Sequence, residues 1–150
     1  MTIILMSYGF IISMIIILIM NSSLNGSKKR PHIKVRWTLH DCWSFTGHCS
    51  HFAYAKCDKW KSCCNNCPQL DQYPKSMIDN SRSNYLRKKI AFTGVKNMTL
   101  VTPSNWLKDL VKESFLSEYP VEVAYNTIDT NVFKPTESSF KADHGIADKK

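Results

Sequence analysis

The chain reads as an α/β fold built on a parallel sheet, and three observations carry that reading. Short β-branched or apolar runs recur at Ile33–Leu39, Met98–Thr102 and Val121–Ala124. Helical patterns precede the second and third of these runs, and the links between helix and strand are short. Strands that alternate with helices in this way pair in parallel through right-handed crossovers.

The amino end supports two accounts. Ile3 to Met20 is almost wholly apolar, interrupted by Ser7, Tyr8, Gly9 and Ser13, and is followed by Lys28, Lys29 and Arg30. Such a run just spans a bilayer, and the basic flank would lie in the cytoplasm. The second account is an out-of-frame translation. Codons permitted by residues 10–28, read one nucleotide earlier, can encode an amphipathic helix that leads into Lys29. In that frame Met14-Ile15 must give Asp and Met20-Asn21 must give Glu. Residues 1–28 are therefore set apart from residues 29–135, the expected folded unit.

Within that unit Ile33–Leu39, bounded by Pro31 and by His40-Asp41, reads as a buried strand. Cys42 to Pro68 has no clean period and reads as an irregular insertion. Asn80 to Phe92 places Tyr85, Leu86, Ile90 and Phe92 among Arg and Lys, a helix that Gly94 stops. After the strand Met98–Thr102, Ser104 is an N-cap, and Trp106, Leu107, Leu110, Val111 and Phe115 form one apolar face. Pro120 ends that helix ahead of Val121–Ala124. Residues 136–150 are polar and weakly patterned, a linker or the start of a further domain.

Length and charge bound the function. A chain of 150 residues with 43% hydrophobic content holds one ordinary domain, which excludes a two-domain enzyme. The 20 Lys and Arg against 12 Asp and Glu leave a net charge of +8, suited to phosphate groups or an anionic membrane surface. Nucleic acid is not the expected partner, because the one strong basic cluster, Arg82 to Lys89, is modest.

The chemistry concentrates in and before the insertion. Cys64 and Cys67 bring two thiols to one turn, and Cys49 and Cys57 can supply the other corners of a tetrahedron around a structural zinc. Free packed thiols and disulfides are the alternatives; the adjacent pair Cys63-Cys64 and the lack of a basic secretory n-region favour a reducing compartment. His48 and His51 could each replace a thiol, although four thiolates suffice. His40 and Asp41 are the candidate catalytic residues, since ligands of open α/β sheets bind at the carboxyl ends of strands. Their alternative role is to cap the strand and buttress the cysteine loop. Trp37, Trp43, Phe45, Phe52, Tyr54 and Trp60 read mainly as core around that loop.

Four segments in order carry a resemblance. They are Thr38-Leu39-His40-Asp41-Cys42-Trp43-Ser44-Phe45-Thr46-Gly47-His48-Cys49; Cys57, Trp60 and Cys64-Asn65-Asn66-Cys67-Pro68; Val101-Thr102-Pro103-Ser104-Asn105-Trp106-Leu107; and Asn126 to Pro135. From about Lys29 onward the chain resembles bacterial glycosyltransferases of family 4, in the branch that builds colanic-type and capsular surface polysaccharides and carries a cysteine insertion.

The resemblance implies a GT-B architecture, with this chain as part of the Rossmann-like amino-terminal, acceptor-binding domain. The nucleotide-sugar donor would bind mainly to a carboxy-terminal domain, so this chain by itself is expected to be inactive. It also implies a glycan or lipid-linked acceptor and work at the cytoplasmic face of the inner membrane. Thr127 departs from the family, which usually has glycine there. Cys63 likewise stands where relatives usually have glycine, which makes it the poorest candidate ligand among the cysteines. A membrane-anchored, zinc-binding interaction protein is the alternative reading.

Overall fold

The computed structural model describes residues 2–7, 24, 26–29 and 32–146. They form a four-stranded, all-parallel sheet in the order β1 (Thr2–Ser7), β2 (Lys34–Leu39), β3 (Met98–Thr102) and β4 (Val121–Val123). The register sets Thr2 beside Lys34, Val35 beside Met98 and Leu100 beside Val121. With its helices, the sheet is part of a Rossmann-like α/β arrangement.

The strand β1 lies within the apolar amino-terminal run. The rest of that run falls within residues 8–23, outside the described residues, as do residues 147–150. Among the described residues no helix is long and apolar enough to cross a membrane. Leu24 is fully buried, and Lys28 Nζ donates to the Ile90 carbonyl at 2.9 Å.

Along β2 burial alternates: Val35, Trp37 and Leu39 face the core, whereas Lys34 and Arg36 are exposed. Alternation follows from the two-residue period of a strand. Trp37 is fully buried and meets Phe92 edge to face, with ring centroids 4.9 Å apart. Burial of such a ring stabilises the fold by roughly 2–3 kcal/mol.

Phe92 closes α1 (Ser81–Phe92), whose buried residues are Ser81, Tyr85, Lys88, Ala91 and Phe92. The 81, 85, 88, 92 spacing is one face of a helix. That face differs from the expected one, because Leu86 is 43% and Ile90 75% exposed. A lysine takes the place that apolar periodicity assigns to an aliphatic residue. Beyond α1, Gly94 adopts φ +76°, the left-handed conformation that glycine tolerates after a helix.

The second helix, α2 (Asn105–Lys112), starts as expected: the Ser104 hydroxyl accepts from the Leu107 N–H at 3.2 Å. Leu107 and Val111 are buried and Leu110 and Phe115 partly so, but Trp106 is 53% exposed. The helix stops at Lys112, well before Pro120. The Ser114 hydroxyl donates to the Val111 carbonyl at 2.7 Å and accepts from the Leu116 N–H, turning the chain so that Leu116 and Tyr119 reach the core. Tyr119 then joins two segments: its hydroxyl donates to the Phe92 carbonyl at 2.9 Å and accepts from the Val95 N–H at 3.0 Å.

The carboxy-terminal stretch is exposed and holds one short helix, α3 (Phe140–Asp143). Asp129 opens a turn there, its carboxylate accepting from the Asn131 N–H at 2.9 Å. Thr127 is not left-handed: among the described residues only Lys56 and Asn66, apart from glycines, have positive φ.

Candidate functional site

The carboxyl end of β2 leads directly into the cysteine insertion. His40 and Asp41 follow Leu39 without an intervening loop, on a strand flanked on both sides by others. Asp41 is 9% exposed, and its carboxylate accepts from the Trp43 N–H at 2.9 Å. This bond starts the 3-10 turn Trp43–Phe45. Asp41 therefore positions the loop in the way a short polar side chain holds a turn.

The insertion has its own core. Phe52 stacks on Trp60 at a centroid distance of 4.7 Å, and Phe45 packs against Trp60 at 5.4 Å. Trp37, Trp43, Phe45, Phe52 and Trp60 are all buried, in keeping with a core role. Tyr54 is the exception at 99% exposed; it sits in a turn between Phe52 and Trp60.

Lys88 reaches up from α1 into this loop and is wholly buried. Its Nζ donates to the Trp43 carbonyl at 2.7 Å and the Thr46 carbonyl at 3.0 Å, and lies 3.5 Å from the centroid of the Trp43 ring. Burial pulls its pKa down to about 7, against the opposing pull of Cys64, Asp41 and Cys49.

Cys49, Cys57, Cys64 and Cys67 line one small, apolar cavity together with His48, Phe52 and Trp60. All six cysteines are free thiols. Burial, reinforced by neighbouring cysteines, pushes the thiol of Cys49 up to about 12. Cys64 rises to about 11, chiefly from burial, while the Gly47 N–H, 3.2 Å from its sulfur, works the other way. Cys67 is also raised, first by burial. Cys42 is buried and its thiol pushed up to about 12 by burial and then by Asp41; it packs in the core away from the cavity. Cys63 directs its sulfur toward the Cys64 carbonyl instead.

The Cys64–Cys67 turn is tightly held. Asn66 takes φ +42°, Lys59 Nζ donates to the Asn65 and Asn66 carbonyls at 3.1 and 2.8 Å, and the Cys67 N–H donates to Asp79 at 2.9 Å. Gly47 has no room for a side chain: a Cβ there would overlap the Ser81 carbonyl oxygen and stand 2.7 Å from Cys64 Cβ. The His48 ring loses basicity mainly through burial, against the opposing pull of the Pro74 and Gln69 backbone beside it. Among the described residues, no three His, Cys, Asp or Glu side chains are gathered as a ready-made set for a metal ion. The four thiols share a cavity without having closed into such a set.

The sequence marks Lys88 only as part of the Arg82–Lys89 cluster and Gly47 only as part of a motif, and gives no role to Lys59 or Asp79. For Lys88 one signal exists: it stands three residues after Tyr85 and four before Phe92, on the face those two aromatics define. For the other three the decisive contacts lie far along the chain.

Comparison with known proteins finds a similarity over part of the chain. Over 82 residues the chain is 33% identical to the Escherichia coli (strain K12) protein named "Putative colanic acid biosynthesis glycosyl transferase WcaC". The match takes in 53% of this chain and 20% of the relative, so the chain spans about a fifth of the curated relative it matches. No family model matches the chain, and no solved structure matches it.

Proposed function

We propose that this chain is the acceptor-binding part of a GT-B glycosyltransferase of family 4. The whole enzyme would move a sugar from a nucleotide-sugar donor to a glycan or lipid-linked acceptor in surface polysaccharide synthesis. The similarity over 82 residues to the named transferase carries the reading. The parallel sheet supports it, because His40 emerges at the carboxyl end of a strand with neighbours on both sides, where such sheets bind ligands.

In this reading the two candidate residues divide their work. His40 faces the cleft and orients the acceptor hydroxyl, a contribution of geometry to a displacement whose charge is borne on the donor side. Asp41, already bonded to the Trp43 N–H, is a positioning residue that fixes the strand end and the start of the loop. The donor would bind to a second Rossmann-like domain, and the net charge of +8 would help the protein dock on an anionic membrane surface at the cytoplasmic face.

The test is binding by the full chain, followed by NMR or native mass spectrometry. A lipid-linked saccharide with a shortened tail is expected to bind and to perturb His40, while a sugar nucleotide alone does not bind. Tight binding of the sugar nucleotide, or of neither ligand, overturns the assignment.

A further inference from the structure

We propose that Cys49, Cys57, Cys64 and Cys67 take one zinc ion as four thiolates, with Lys88 as its buried counter-charge. This inference stands apart from the glycosyltransferase reading, since it concerns how the insertion is held and not what the enzyme transfers.

The donor set is the first support. Four free thiols on three separate stretches of the insertion line a single cavity; although they are not drawn together at metal-binding distance, they are the soft donors that structural zinc takes. No position is left open for water, so the ion has a structural role. The second support is the scaffold around the sulfurs. The left-handed Asn66 folds Cys64 and Cys67 onto one turn, and Lys59 and Asp79 hold that turn from outside. The Gly47 N–H already points at the Cys64 sulfur at 3.2 Å. Backbone donors to sulfur and fixed outer partners are what orient thiolate ligands.

Charge gives the third support. Four thiolates around a divalent ion carry a net charge of about −2. Lys88 is enclosed beside this cluster with no carboxylate hydrogen-bonded to it; its bonds go to two carbonyls and its charge lies over Trp43. The buried Asp41 carboxylate is one anionic neighbour of this ammonium, and the thiolates of Cys64 and Cys49 would add to it. On binding, each thiol gives its proton to solvent and the side chains rotate inward from the cavity wall.

The test is made on the full chain, purified under reducing conditions without chelator. About one zinc per chain is expected by elemental analysis, and cobalt exchanged into the protein should show intense sulfur-to-metal charge-transfer absorption. Cys57→Ser and Cys67→Ser should each weaken binding at least tenfold, whereas Cys63→Ser retains the metal. A metal-free chain with all six thiols titratable, a Cys64–Cys67 disulfide, or full retention of zinc in the Cys57 and Cys67 variants overturns the proposal. Should those variants fail to fold, mercurial titration of the unsubstituted chain decides: release of zinc in step with thiol modification supports the site, and absence of release refutes it.

Discussion

Lys88 and Trp43, 45 residues apart in sequence, are joined twice: the ammonium lies 3.5 Å from the indole centroid and donates to the Trp43 carbonyl at 2.7 Å. The helix α1 thereby grips the loop that follows β2, and the end of the strand, the cysteine cavity and the helix become one unit. Replacing Lys88 by Met keeps the volume but removes the ammonium donor from both carbonyls, leaving the Trp43 carbonyl only the Thr46 N–H at 3.4 Å. A loss of about 2–4 kcal/mol is expected in urea denaturation. Lys88→Arg should not restore the loss, because the guanidinium is too broad for the enclosed space.

Gly47 is a second point of contact between the loop and α1. Its Cβ would collide with the Ser81 carbonyl, which belongs to backbone and cannot swing aside. Gly47→Ala is expected to cost about 1–3 kcal/mol, read as a lowered thermal midpoint. Gly94→Ala meets no atom within 4 Å, and its cost of about 1 kcal/mol would come from φ +76° alone. A larger effect at Gly94 than at Gly47 would contradict this account.

Tyr119 ties the end of α1 to the approach of β4 through its hydroxyl. Tyr119→Phe removes one donor and one acceptor while keeping the ring in place. The Val95 N–H is then buried without a partner, and about 1–3 kcal/mol should be lost in chemical denaturation. An unchanged midpoint would mean that water replaces the hydroxyl.

At the head of α2, Ser104→Ala should cost about 1 kcal/mol, and Ser104→Asp should restore most of it. Amide exchange at Leu107 is the direct readout, since its N–H is the donor to the Ser104 hydroxyl. Faster exchange confined to Leu107 and its neighbours in the alanine variant is the expected pattern.

If the proposed glycosyltransferase function holds, His40 and Asp41 should separate when the full-length protein is assayed for sugar transfer. Asp41→Ala is expected to lower stability by about 1 kcal/mol through loss of its bond to the Trp43 N–H. His40→Ala should instead lower turnover with a smaller change in stability. If both variants lose stability alike and neither slows transfer at saturating substrate, the strand end is scaffold only.

The division between sequence and tertiary structure follows from what each residue pattern encodes. Strands at Lys34–Leu39, Met98–Thr102 and Val121–Val123, the cap at Ser104 and the glycine after α1 were legible, because each depends on neighbours a few residues away. The Cys64–Cys67 spacing announced a turn, and the structure sets Cys49, Cys57, Cys64 and Cys67 around one cavity. By contrast, the burial of Lys88, the exposure of Leu86 and Ile90, the lack of space at Gly47 and the pairing of β1 with β2 arise only when distant segments meet. Periodicity assigned the faces of α1 by polarity, yet the partners that bury Lys88 are loop carbonyls 42 and 45 residues away. A local pattern records the hydrogen bonds and the period of its own element; which face is buried, and against what, depends on long-range packing that no window of neighbours contains.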